Sequence, residues 1–322
     1  MKRGALGLGL LVLAAVPFWV GGIYYVNIVS QILISAIFAL SLNVLVGYAG
    51  LISLGHAGLF GFAAYGTAIL LAAGVGHLGA ITGALVLTLA ASALFAVLAL
   101  RTTGIGFIMI TLAIGQILWG LAYRWIGLTN GDNGITAASR PAPFGLSLAS
   151  ATSFYYATLV VFLATTVAMA VFARSALGAA LKGTRDQPRR MTALGYDVWM
   201  IRFLACLFSG FWSGVAGILF LYYNQFISPH ALALSASAEA LLMVISGGAG
   251  TLAGPVAGAV LVVIMKSVAS AYIERWNFAL GAIFVLIVLF MPEGLVPGTV
   301  RLTRRGWGVL RRRAAAPVGS RR

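Results

Sequence analysis

Residues 174–202 read RSALGAALKGTRDQPRRMTALGYDVWMIR, and they fix how the rest of the chain is threaded. Arg174, Lys182, Arg185, Arg189, Arg190 and Arg202 stand against only Asp186 and Asp197. Both flanks are apolar runs long enough to cross about 30 Å of hydrocarbon. A basic island between two such runs faces the cytoplasm under the positive-inside rule. Counting outward from it assigns a side to every other connection.

Of 322 residues, 61% are hydrophobic and only 8% are charged. A soluble domain of this size needs far more charge to cover its surface. A transmembrane barrel would show short alternating segments rather than long runs. The class is therefore an all-α polytopic membrane protein. The formal net charge is +15, but the cations sit at span ends, in the basic island and in the tail from Arg301 to Arg322. That distribution suits anionic lipid head groups, and no folded basic domain is present to bind nucleic acid. The single cysteine, Cys206, lies in an apolar run, which excludes a disulfide framework and suits a small packing residue.

Lys2 and Arg3 place the amino terminus inside. The start resembles a signal peptide, but its apolar run continues to Val26, so it reads as an uncleaved first span over Leu6–Val26 with an outer turn at Asn27. Span two returns over Ile28–Val46 and a glycine-rich turn covers Gly47–Gly61. Spans three, four and five occupy 60–74, 80–100 and 104–125. The polar stretch Gly127–Ser147, with its Gly, Asn, Asp and Pro residues, is an external loop extending over 127–152. Span six, 154–173, delivers the chain to the basic island, and span seven leaves over 203–222. Asn224–Ser235 is external. Span eight runs from Ala236 to a second glycine turn, Ser246–Gly258. Span nine reaches Tyr272, Glu274 and Arg275 sit at the outer mouth, and span ten covers Phe278–Met291. This gives about ten spans with both termini cytoplasmic. Residues 1–291 form one transmembrane domain with a cytoplasmic loop at 174–202, followed by a basic cytoplasmic tail at 292–322. Span eight is short, so either it or span three is broken or re-entrant.

The two glycine turns match. Gly47, Ala49, Gly50 and Gly58 align with Gly247, Ala249, Gly250 and Gly258. Both turns join an inward span to an outward one, which describes a parallel internal repeat of the kind found in transporters. Glycines that merely allow close helix packing are the plainer alternative.

No catalytic constellation is present. GAALKGTR at 178–185 lacks the Lys-Ser/Thr pair of a P-loop, so nucleotide hydrolysis is not expected on this chain. His56, His77 and His230 fall on different sides, which argues against a metal site. A membrane enzyme would also need paired polar groups facing one another. The polar residues inside spans are Asn43, Gln116 and Glu239. Asn43 and Gln116 either tie helices together or line a path. Glu239 either sits in a helix's first turn, where the dipole favours an anion, or acts at the outer mouth. His56 either lines a gate or caps a broken helix. Glu239 is the only one of six acidic residues inside a span, too few for a proton- or sodium-driven pump.

Energy must then enter from outside the chain, and the basic island offers a place. Asp186 reads as an N-cap, Pro188 suits a first helical turn, and Gly195 reads as a stop. A helix over Gln187–Leu194 is too short to persist alone in water. It exposes Arg189, Arg190, Met191 and Leu194, an apolar stripe with flanking cations suited to a partner's groove. The alternative is a connector lying on the lipid surface.

Six strings bring these readings to a known family: SLNVLVGYAGLISLGHAGLFGFAAYGTA, RTTGIGFIMITLAIGQI, LTNGDNGIT, RDQPRRMTALGYDVWMIRFLACLFSGFWSGVAGILF, SAEALLMVISGGAGTLAGPVAGA and FMPEGLVPG. In this order they resemble the permease subunits of branched-chain amino acid ABC importers, of the LivM type. The resemblance implies the larger importer-type ABC permease fold in a bacterial inner membrane. It also implies two ATPase subunits carrying ATP and magnesium, a second and related permease subunit, and an external solute-binding protein. No cofactor is implied on this chain. The coupling segment would be Arg185, Asp186, Gln187, Pro188, Arg189, Arg190, Met191, Leu194 and Gly195. The path or gate would include Asn43, Gly47, His56, Gln116, Glu239 and Gly247, on faces of spans two, three, five and eight. Asn130, Asp132 and Asn133 of the external loop would dock the binding protein. The family often has an acidic residue and no proline after the Arg-Asp pair, whereas Gln187 and Pro188 follow here, so the coupling helix starts later. The competing reading is a passive channel or carrier for urea or another small neutral amide, which would not need a docking helix.

Overall fold

The computed structural model describes residues 22–136, 140 and 148–272, with Pro17 and scattered residues between 278 and 298. Most of the first and tenth spans, the residues Glu274 and Arg275, and the basic tail lie outside the described residues. In chain order the helices are α1 (Ile23–Asn43), extended by a π-helical segment Val44–Ala49; α2 (His56–Ala72); α3 (His77–Ala99); α4 (Ile105–Arg124); α5 (Ala151–Arg174); α6 (Ala176–Asp186); α7 (Pro188–Ala193); α8 (Val198–Asn224); α9 (Leu234–Gly247); and α10 (Ala253–Tyr272).

Five of these, α1 with its π extension, α3, α4, α5 and α8, are long and apolar enough to cross a membrane, and α2, α9 and α10 are shorter apolar helices. The architecture is that of a helical membrane protein. Among the described residues one strand pair is present, where β1 (Ile135–Thr136) and β2 (Phe226–Ile227) pair antiparallel with Ile135 opposite Ile227. This two-residue ladder joins the loop after α4 to the loop after α8.

The expected turn at Asn27 is absent. Ile23 to Asn43 is one helix, and Asn27 lies within it, its carbonyl accepting from the Tyr223 hydroxyl at 3.1 Å. A single asparagine is a weak breaker, and the apolar residues on both sides continue the helix through it. Most of α1 is buried, whereas most residues of α3, α4 and α5 are half-buried or exposed. Helices α5, α8 and α10 pack directly on α1, and α2, α3 and α8 pack against one another.

Many polar side chains inside the bundle hydrogen-bond within it, as apolar surroundings favour. Thr67, Thr88 and Thr158 each donate to the carbonyl four residues earlier. Others join helices: Ser92 Oγ donates to the Cys206 carbonyl at 3.0 Å, and Ser209 Oγ to the Ser41 carbonyl at 2.6 Å. Cys206 itself is a buried free thiol packed among these helices, as the sequence suggested.

Helix starts follow local chemistry. Ser150 accepts from the Ser153 amide, Ser175 from Gly178, and Asp197 from Met200, each satisfying a donor that the first turn leaves unpaired. At the end remote from the basic segment, Arg140 fastens the long loop to the C-terminus of α8. Its guanidinium donates to the carbonyls of Tyr222 (3.1 Å), Tyr223 (3.2 Å) and Ala149 (3.2 Å) and lies 4.7 Å from the Phe154 ring centre. Cations suit helix C-termini, where carbonyls lack intrahelical partners.

Arg140→Met retains the stem over Phe154 but frees three carbonyls. It should lower the thermal unfolding midpoint of the purified protein in detergent, by the equivalent of about 1–3 kcal/mol. Arg140→Lys should fall between the two, because a point charge cannot reproduce the guanidinium fork.

Candidate functional site

The two glycine turns, some 200 residues apart in sequence, touch. A Cβ on Gly47 would strike the Gly250 backbone nitrogen and Asn43 Oδ1, so the approach requires glycine. Asn43 closes the junction: its Oδ1 accepts from the Gly250 amide at 2.9 Å, and its Nδ2 donates to the Thr251 carbonyl at 2.9 Å. Gly50 and Gly250 both take left-handed backbone, with φ of +70° and +81°. Between Asn43 and Gly50 the helix widens into the π-helical segment, which shifts the faces that follow it. Gly247 packs instead within its own turn, against the backbone of Gly254 and Gly258.

A helix of the basic segment reaches this junction. Arg185, near the end of α6, donates from Nη1 to the Gly47 carbonyl at 2.7 Å. Lys182, one turn earlier, places Nζ 5.1 Å from the Tyr48 ring centre on the π-helical segment. Arg202 of α8 donates to the Thr184 carbonyl at 2.8 Å and holds α6 from the other side. Leu181 and Thr184 are fully buried, so α6 belongs to the packed bundle. It was not anticipated as a separate helix, although Ser175 followed by small and apolar residues is a usable start signal.

The helix that follows differs from expectation. Asp186 does not cap it. Asp186 is the last residue of α6, and its carboxylate accepts from Arg185 Nε at 2.9 Å. The cap position falls to Gln187, whose side chain makes no capping bond, and Pro188 is the first helical residue. The reason is Pro188, because a residue before proline is pushed out of helical backbone. Gln187 has φ −147° and ψ 79°, and α6 ends there. Gly195 does end α7, at φ +85°, with its amide bonded to the Thr192 carbonyl (3.0 Å) and the Tyr196 amide to the Met191 carbonyl (3.1 Å). These two bonds are the paired C-terminal closure that glycine allows.

Arg189, Arg190 and Leu194 are exposed as expected, but Met191 folds back against Gly183 of α6. The apolar part of the exposed surface comes instead from Leu194, Tyr196, Trp199 and Met200.

The other predicted path residues do not gather at the junction. His56 is the first residue of α2 and fully buried, with Nε2 3.0 Å from Ser41 Oγ of α1 and 3.4 Å from Ser209 Oγ of α8. It neither caps α2 with its side chain nor lines the cavity, but ties three helices together. Phe38 stacks on it at 5.7 Å and separates it from the cavity. Gln116 is half-buried on α4 and does not line the cavity either.

That cavity, of about 470 Å³, lies between α1, α2, α8, α9 and α10 toward the end remote from α7. No residue of α4, the expected fifth span, contributes to it. Its walls include Phe38, Phe60, Phe220, Met243 and Val263, with Gln31, Ser35 and Ser228 among its polar groups. Glu239 lines it, well past the first turn of α9, so helix capping does not account for this acid. Its partner is Lys266 of α10, whose Nζ is 3.2 Å from both carboxylate oxygens. The sequence reading weighed acids inside spans and overlooked this cation; a count of both signs within the run 253–272 would have found it.

Asn130, Asp132 and Asn133 are exposed at the remote end, next to the β1–β2 ladder. Asn130 takes left-handed backbone at φ +60° and donates to the Gly134 carbonyl at 3.2 Å.

The family described as "Branched-chain amino acid transport system / permease component" matches residues 24–291. The chain is 30% identical over 324 aligned residues to the high-affinity branched-chain amino acid transport system permease protein LivM of Salmonella typhimurium, covering 93% of this chain and 76% of that one. The same figures hold for LivM of Escherichia coli. The permease protein LivH of Escherichia coli is 26% identical over 141 residues, 43% of this chain and 45% of its own. No solved structure matches significantly.

Asn43→Leu leaves the Gly250 amide and the Thr251 carbonyl unpaired between the turns. It should cost about 1–3 kcal/mol, read as a lower thermal midpoint in nanodiscs. Gly120→Ala, in α4 with open space around the added methyl, should leave the midpoint unchanged or raise it.

Proposed function

The chain belongs to the branched-chain amino acid permease family and is a LivM-type transport permease, and on that premise we propose that it works as one half of an ATP-driven importer. It would cross the bacterial inner membrane with the α6–α7 end in the cytoplasm and the β1–β2 end outside. About ten spans and a parallel repeat of the two glycine turns complete this reading. Two ATPase subunits bind ATP and magnesium, a related permease forms the other half, and an external binding protein delivers the solute.

The observation that carries this reading is the contact between Arg185 and Gly47. ATPase subunits gripping α7, through Arg189, Arg190 and the apolar surface of Leu194 and Tyr196, would move α6 with it, since Met191 packs on Gly183. Arg185 and Lys182 join α6 to the turn after α1, and Asn43 joins that turn to the one after α9. Motion at α7 would then reach both glycine turns without passing through a flexible link. Interconversion of packed arrangements is how such a displacement opens one side and closes the other. The cavity at the remote end would be the external vestibule, and Asn130, Asp132 and Asn133 would face the binding protein.

The non-helical residue before Pro188 makes α6 and α7 two separate helices, and the packing of Met191 on Gly183 bridges the break at Gln187. The ATPase groove would meet a helix that starts one residue later than a cap at Asp186 would allow.

Arg189→Glu with Arg190→Glu should leave the permease folded and assembled, keep basal ATP hydrolysis, and reduce ATP-dependent uptake in proteoliposomes by at least about tenfold. Unaltered uptake would remove α7 as the coupling element, and solute flux independent of ATP in the parent protein would favour a channel.

A further inference from the structure

Glu239 and Lys266 are opposite charges on neighbouring apolar helices, and each would be costly there without the other. They are not sealed, however. The Glu239 side chain is 26% exposed and that of Lys266 40%, and both line the cavity. Lys266 Nζ is equidistant from the two carboxylate oxygens, at 3.2 Å each. A pair that only staples two helices needs no access to a chamber; this one faces a chamber of about 470 Å³, within the range of small-molecule sites at about 300–1,000 Å³.

The rest of the chamber supplies what a small amphiphilic solute needs. Phe38, Phe60, Phe220, Met243 and Val263 give an apolar wall for a hydrocarbon side chain. His230 is the other titratable residue lining it among the described residues.

We propose that Glu239 and Lys266 form the site at which this permease reads an α-amino acid as a zwitterion, Glu239 receiving the ammonium and Lys266 the carboxylate. This rests on the transport reading above. Without solute the two side chains satisfy each other. With solute each exchanges its partner for the matching end of the zwitterion. The chamber holds no net added charge in either state, so passage leaves no unpaired ion among apolar walls. A solute lacking one end would leave Lys266 or Glu239 facing an uncharged group, and that asymmetry produces the selection.

Saturation-transfer NMR on the complete transporter complex in nanodiscs, without the external binding protein, tests this. L-Leucine is the probe, and 4-methyl-2-oxopentanoate and 3-methylbutylamine compete as analogues lacking the ammonium and the carboxylate. In the parent complex both should compete at least about tenfold more weakly than L-isoleucine. Equal competition by either analogue, or no detectable leucine binding, overturns the proposal.

Glu239→Gln and Lys266→Gln should each weaken leucine binding by at least about tenfold. Glu239→Gln should narrow the gap between leucine and the oxo acid, and Lys266→Gln the gap between leucine and the amine. Lys266→Arg, which keeps the charge, should retain most of the binding. If the pair only staples helices, the exchange Glu239→Lys with Lys266→Glu restores leucine binding to the parent level, and that result overturns the assignment. ATP-dependent uptake by the parent complex, with its binding protein in proteoliposomes, separates the two readings. No amino acid uptake at all defeats the transport reading and this site with it. Uptake with unchanged competition ratios in the variants defeats the site alone.

Discussion

Backbone groups inside an apolar bundle have no water to bond, and the place where two glycine turns meet is where this requirement bears hardest. The Gly250 amide and the Thr251 carbonyl find both partners on one side chain, Asn43. The Gly47 carbonyl finds Arg185. Irregular backbone at membrane depth persists only when other parts of the protein pair with it. Here the partners come from α1 and from α6, so the same bonds that satisfy the turns also join three distant parts of the chain. The close approach depends on Gly47 having no side chain, and the turn of the backbone depends on Gly50 and Gly250 accepting positive φ.

The two ends of the molecule are built on different terms. At the basic end, α6 is packed and bonded while α7 stands out on it, closed by Gly195 and presenting Arg189, Arg190 and Leu194. At the other end, Arg140 and the β1–β2 ladder bind the loops to the end of α8. The cavity opens within that second, fastened end. One end is thus fastened across its loops, and the other carries a helix that stands out from the packed bundle.

The readings that succeeded rested on local rules. Gly195 ended α7 because a left-handed position there excludes most other residues. Asn43 ties the two glycine turns, the joining role open to a polar residue inside a span. The readings that failed were decided by a neighbour in sequence or in space. Asp186 had the right chemistry for a cap, but Pro188 moved the cap to Gln187 and left Asp186 to Arg185. Met191 had an exposed position by periodicity, but Gly183 offered a slot for it. Asn27 read as a turn, but α1 ran through it to meet Tyr223.

Run lengths, the distribution of cations and six extended strings determined the class, the family and the location of the projecting helix, because these depend on transfer to lipid and on local backbone preference. Tertiary structure alone decided which polar residues act together. It paired Asn43 with a turn some 200 residues away and joined Arg185 to Gly47. It withdrew His56 into a buried tie with Ser41, and set Glu239 against Lys266. Each of these is a satisfaction of a buried or half-buried polar group by a group distant in sequence. A helical period shows which face a residue occupies, but the partner across that face is fixed only when the helices pack.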